Sequence, residues 1–198
     1  MANPISPYFV NFLADAASSA QIDRSQAAPG GNSQRAGHTS ISFRGRGALT
    51  WQPETGRPRA DGTVPFFFRS VNICFRLTDY VVQIASAYSV GSCAYKATLR
   101  HEVEEHIVNP IRIMNGFRDP FIQALNTVRL PTHIAPRWLK HGQLEAAEAD
   151  YIGQVGRVVN DFRTRVSDAL RKAQAASDSP AQYQIVYRQC SVEEWNQR

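Results

Sequence analysis

With 198 residues and 43% hydrophobic content, the chain has the size of one domain with a core of its own plus short ends. No apolar run approaches the roughly 20 residues of a bilayer span, so membrane insertion is not expected. The net charge is +5, but the basic residues are scattered apart from Phe43-Arg44-Gly45-Arg46-Gly47, so no nucleic-acid footprint is expected either.

In chain order, Phe9, Phe12 and Leu13 have the spacing of a short amphipathic helix within residues 1–20. The stretch has neither a basic n-region nor a long apolar run, so no signal peptide is expected. The chain is then cytoplasmic as made, or exported without a cleaved signal to act in the periplasm or a target cell. Residues 21–38, rich in Ser, Gln, Gly and Ala around Pro29-Gly30-Gly31, have the composition of a linker. These segments make 1–37 an N-terminal helix with a flexible linker and 38–198 a single α+β domain.

His38–Phe43 alternates as a strand does, and Ala48–Trp51 continues the sheet. Pro53–Gly62 is a proline- and glycine-bearing loop. From Val64 to Leu77 and from Tyr80 to Tyr88 the chain is dense in β-branched and aromatic residues. That density predicts two strands with a turn near Thr78-Asp79. Val90-Gly91-Ser92 breaks the sheet, and Ser92 suits the N-cap of a following helix that ends near Asn109-Pro110.

A second helix is expected between Asp119 and Val128, with Phe121, Ile122 and Leu125 inward. Leu130–Trp138 reads as a loop. From about Gln143 to Ala176, Leu144, Tyr151, Val155, Phe162, Val166 and Ala169 form one apolar stripe at helical spacing. Glu148 falls inside that stripe, where an unpaired ionised carboxylate needs an arginine, a donor network or a metal. Gln182–Gln189 reads as a closing strand. Strands followed by helices make the class α+β, with a small, mostly antiparallel sheet.

The chemistry concentrates in Cys93-Ala-Tyr-Lys-Ala-Thr-Leu-Arg-His101-Glu102-Val-Glu-Glu105-His106. Histidines at i and i+4 beside a glutamate hold zinc and move protons in H-E-x-x-H hydrolases. Here the spacing is H-E-x-x-x-H. At about 100° per residue, a regular helix puts Tyr95, Leu99, Glu102, Val103 and His106 on one face and turns His101 away. Either a π-type bulge absorbs the extra residue, or Glu102 and His106 are a buried polar pair and His101 is solvated.

At these residues the chain resembles the dipeptidyl-peptidase III family, whose H-E-x-x-G-H motif has the same spacing, although Glu105 stands where that family has glycine. Leu144-Glu145-Ala-Ala-Glu148-Ala-Asp150 is similar to the second-helix motif that supplies the family's third ligand. The Cys93-Ala-Tyr95 lead-in is similar to that of small bacterial zincin-like proteins with H-E-x-x-H. The resemblance implies a zincin-like, gluzincin-type zinc peptidase. His101, His106 and Glu148 would bind one Zn²⁺, with Glu145, His133 or His141 as alternatives to Glu148. Glu102 would be the general base, and Tyr151, His133 or His141 would face the oxyanion. The expected substrate is a protein, peptide or related amide, in keeping with a bacterial secreted effector or toxin domain.

The rival is a non-catalytic effector or interaction domain with a degenerate motif. A nucleophile built from Cys93 and His101 lacks an orienting third group. Glu102-Val-Glu104 with Ser40-Ile-Ser42 is similar to arginine-directed ADP-ribosyltransferases, but it falls in a helical context. Cys74, Cys93 and Cys190 allow one disulfide and one free thiol, or three buried thiols.

Overall fold

A single 23-residue strand pairs with every other strand of the sheet. The computed structural model describes residues 7–14, 21–25, 37–44 and 50–196. The strands are β1 (Tyr8–Ala14), β2 (Gln21–Ser25), β3 (Gly37–Arg44), β4 (Thr50–Thr55), β5 (Thr63–Ala85) and β6 (Arg137–Lys140). β1, β2, β3, β4 and β6 each pair with β5. The class is α+β as expected. β4 and β6 run antiparallel to β5 but β2 runs parallel, so the sheet is mixed rather than mostly antiparallel.

β5 stays continuous where a turn was expected. Its buried hydrophobic residues are Val64, Phe66 and Phe68, then Val71, Ile73, Phe75 and Leu77, then Tyr80, Val82 and Ile84. Side chains alternate faces along a strand, so each change of parity marks an extra residue. The first lies opposite Gln52/Pro53, where Ser70 and Phe68 find partners in β4 and Arg69 is left over. The second coincides with Asp79, whose φ of 59° is the left-handed conformation that aspartate tolerates. Thr78-Asp79 is turn chemistry used for a bulge that keeps the apolar face on the core.

Three further expectations change. Residues 8–14 form a strand, not a helix, because half-buried Tyr8, Val10 and Phe12 alternate with exposed Phe9, Asn11 and Leu13. Part of the expected linker is β2, paired to Val81–Ala85. The remainder, 26–36, lies outside the described residues, as do 45–49, where Ala48–Trp51 was expected to begin. The expected strand at 182–189 is a helix, Pro180–Tyr187, with the Ser179 side chain accepting from the Gln182 N–H and proline at its start. That pairing of an N-cap serine with a first-turn proline outweighs local β propensity.

The helices are α1 (Cys93–Val103), α2 (Asn109–Gly116), α3 (Arg118–Thr127), α4 (Leu144–Ser177), α5 (Pro180–Tyr187) and α6 (Val192–Asn196). A π turn, Glu104–Val108, joins α1 to α2. The helix therefore continues past Pro110. A proline ring clashes with the carbonyl four residues back in an α-helix, and here the widened turn lies immediately upstream. Among the described residues no helix is long and apolar enough to cross a membrane.

The chain divides into two compact units, and β5 and α4 contribute to both. The first comprises residues 1–13, 44–76 and 116–165. Its core is aromatic: Phe75 and Phe121 lie 4.3 and 4.5 Å from Phe162, and Phe12 packs 5.4 Å from Phe75. The second comprises residues 14–43, 77–115 and 166–198, with Val82, Ile84, Ala94, Ala97, Ile107, Met114 and Val166 buried. Phe75→Ala should destabilise the fold by about 3–5 kcal/mol, the usual cost of emptying a buried aromatic site. Urea unfolding followed by tryptophan fluorescence measures it.

Candidate metal centre

The candidate centre lies wholly in the second unit, and the helix that carries it starts from a clear local signal. Ser92 is extended, and its hydroxyl accepts from the Tyr95 N–H, which opens α1 directly after the Val90-Gly91 break. Ala94, Ala97, Thr98, His101 and Glu102 form the buried face. They recur at i, i+3, i+4, i+7 and i+8, the stripe by which a helix packs on a core. His101 is therefore inward, not solvated, while Tyr95, Leu99 and Val103 are half-buried at the margin.

The π turn brings the second histidine to the first. The Asn109 N–H bonds to the Glu104 carbonyl five residues back, so one turn contains one residue more than in an α-helix. His106 lies within that turn, and its ring is 5.2 Å from that of His101. His101, Glu102 and His106 are 8%, 2% and 2% exposed, and one potential ligand atom of each lies within 4.8 Å of the other two.

The carboxylates around the pair are held from several sides. The Thr39 hydroxyl of β3 donates to Glu102 Oε2 at 2.7 Å. Gly37, also on β3, lies so close that an added Cβ would be 2.7 Å from Glu102 Oε1 and 2.8 Å from Thr98 Cγ2. Glu102 Oε2 is 3.9 Å from His106 Nε2, and Asp178 Oδ1, just past α4, is 3.6 Å from the same nitrogen. The Tyr183 hydroxyl of α5 donates to that Asp178 oxygen at 3.2 Å, and its ring is 5.6 Å from His101. Ser177 donates to Glu105 at 3.1 Å.

Three buried polar atoms here have no hydrogen-bond partner among the described residues: Thr98 Oγ1, His101 Nε2 and His106 Nδ1. An unsatisfied buried group costs about 1–3 kcal/mol, so the arrangement suits an additional occupant. Neutral imidazole is the form that ligates a metal. Burial holds the His101 pKa below its ordinary value of 6.5, against the opposing pull of Glu102, Glu105 and Asp178. A cation bound by two imidazoles with a carboxylate beside them is the donor set that zinc takes. The residues present fit the ion.

The other candidates fall elsewhere. Glu148 is half-buried on α4 in the first unit, outside the His101-Glu102-His106 group. Tyr151, also in the first unit, packs 5.9 Å from Phe68 and 6.3 Å from Phe66. His133, His141 and Glu145 are exposed in that unit. Sequence reasoning missed Asp178, Tyr183, Thr39 and Gly37. The available signal was the break Asp178-Ser179-Pro180, which ends α4 and turns the chain back. Cys93 is bonded to Cys190 and Cys74 is free, so Cys93 is no nucleophile. Comparison with protein-family models, curated proteins and solved structures finds no match for this chain.

Two outcomes test the geometry. Gly37→Ala should push Glu102 or β3 aside and weaken metal binding measured by isothermal titration, with little change in global circular dichroism. Without metal, the lowered pKa of His101 makes the unfolded chain the better proton acceptor just below pH 6.5. Stability should therefore be full above that pH and fall as pH drops towards the folded-state pKa. Urea midpoints at pH 7.5 and about 5 should diverge for the native chain and converge for His101→Gln.

Proposed function

We propose that the chain is a zinc-dependent hydrolase of a peptide or related amide bond, zincin-like in its site. The π turn is the observation that supports this most, because it brings together the two histidines of an H-E-x-x-x-H spacing that a regular helix would separate. His101 and His106 would hold the ion. Asp178 is the third ligand in this proposal, with the ion on His106 Nε2, the nitrogen that lies 3.6 Å from Asp178 Oδ1 and 3.9 Å from Glu102 Oε2. Bound there, zinc supplies Lewis acidity towards water and the scissile carbonyl.

Glu102 is the proton carrier. Thr39 donates to Oε2, the oxygen 3.9 Å from His106 Nε2, and so orients the carboxylate that would accept a proton from the attacking water and deliver it to the leaving nitrogen. Burial keeps His101 neutral and so available as a ligand near neutral pH. Tyr183 is a positioning residue for Asp178, through its hydroxyl. Protein or peptide substrates, and a role as an exported bacterial effector or toxin, belong to the same proposal.

One observation favours a second reading. All three residues of the group are buried, whereas a catalytic zinc keeps an open position. In that reading the chain is a non-catalytic effector or interaction domain, and the same side chains form a closed metal or polar centre.

Elemental analysis after zinc-supplemented purification should find about one zinc per chain, lost in His106→Ala and weakened in Asp178→Asn. Glu102→Gln should retain zinc while hydrolysis of a peptide panel falls about 10²–10⁴-fold. Zinc retained with no hydrolysis by the native chain would select the closed-centre reading. No zinc at all would remove both metal readings.

A further inference from the structure

We propose that α5 and α6 form a strap over the histidine pair, locked by the Cys93–Cys190 disulfide and released by a dithiol reductant. The disulfide ties the first residue of α1 to the segment that follows α5, across 97 residues of sequence. His101 lies eight residues further along α1, about 12 Å at helical rise. At that end of the strap Tyr183 covers His101 and bonds Asp178. Among the described residues α5 and α6 both pack along α1, with polar contacts at the candidate centre and the covalent bond at the helix start.

Few of the strap's own apolar side chains are buried. Val186 is the buried residue of α5, α6 has none, and Ile185 and Val192 are 58% and 70% exposed. Helices of eight and five residues are too short to persist without tertiary support. Trp195 does pack on Tyr187 and Tyr88, and its indole donates to the Tyr187 carbonyl at 2.8 Å. Those contacts join α6 to the end of α5 and to Tyr88, on either side of Cys190 and Cys93 in the sequence. A covalent link that closes a long loop excludes many open conformations, and here it decides between the covered and uncovered states.

The bond is accessible to a reductant. Cys93 and Cys190 are half-exposed, and a cavity lined in part by Lys96 and Arg100 opens beside Cys93. Glu194 lines the same cavity, its carboxylate within 4.8 Å of both sulfurs, so the two cations offset a nearby negative charge and the cavity gives a reductant a polar approach to the bond. The reaction balances: a dithiol gives up two electrons and two protons and becomes a disulfide, the Cys93–Cys190 S–S bond breaks, and each cysteine ends as a thiol. Release would open the centre from the α5 side, which reconciles its burial with a hydrolytic role.

This device regulates the site proposed above and rests on that reading for its purpose, yet it can be tested without zinc or activity. The full chain is compared oxidised, reduced with dithiothreitol, and as Cys190→Ser. Two measurements apply to metal-free protein: amide exchange over Pro180–Tyr187, and diethyl pyrocarbonate labelling of His101 and His106 located by mass spectrometry. Reduction should raise both rates by about tenfold or more, as for local opening, while exchange within 150–165 of α4 stays unchanged. Cys190→Ser should behave as the reduced chain with or without dithiol. Equal rates in oxidised and reduced protein would overturn the strap. Faster rates on reduction in a chain that binds no zinc would uphold the strap and fail the metal reading alone.

Discussion

Two imidazoles and a carboxylate on the buried side of one helix have to be accommodated by everything that packs against them. Each loses water on burial, and the loss is tolerable where hydrogen bonds or a bound cation replace it. Thr39 answers for one oxygen of Glu102, and Asp178 and Tyr183 crowd the outer side of the histidines. His101 Nε2 and His106 Nδ1 stay without protein partners among the described residues. A purely structural network would be expected to close on itself, since a half-satisfied buried network is worse than an apolar one. The ligand atoms of His101, Glu102 and His106 lie within 4.8 Å of one another, which suits the group to a cation.

The constraint reaches back into the sheet. Gly37 has to be glycine in this arrangement because Glu102 and Thr98 occupy the space of a side chain. That brings β3 into close contact with α1, and Thr39 on the same strand then orients the Glu102 carboxylate. β5 keeps its apolar face inward over 23 residues by two bulges, the second at Asp79. Without that phase correction, Val82 and Ile84 would turn to the opposite face, and the unit that contains α1 would lose much of its core.

Strength and accessibility conflict at this centre. Burial favours neutral imidazole and strengthens each electrostatic contact, but it also excludes substrate. The C-terminal segment is where that conflict can be resolved, because it covers the pair with few buried apolar contacts of its own. Its covalent attachment at Cys93 lies at the opposite end of α1 from the chemistry, so breaking the bond acts on the centre through α5 and Tyr183 and leaves His101 and His106 on their own helix.

Much was legible in the residues alone. Local signals determined the start of α1 at Ser92, the extent of α4, the α+β class and the density of strand between 63 and 85, because capping chemistry and periodicity act within a few residues. The i, i+5 histidine spacing pointed to a bulge, though equally to a solvated His101. Tertiary structure decided between them, since a π turn is stable where packing selects it. Tyr8–Ala14 and Pro180–Tyr187 were misjudged for related reasons: the N-terminal strand has a partner that local spacing cannot reveal, and Ser179-Pro180 was a start signal overlooked beside β-prone residues. Glu148 satisfied every local criterion for a third ligand, an acid on an apolar stripe of a later helix. The structure brings Asp178 to His106, and that pairing of residues 72 positions apart depends on how α4 ends and how the chain returns, which no window of sequence contains.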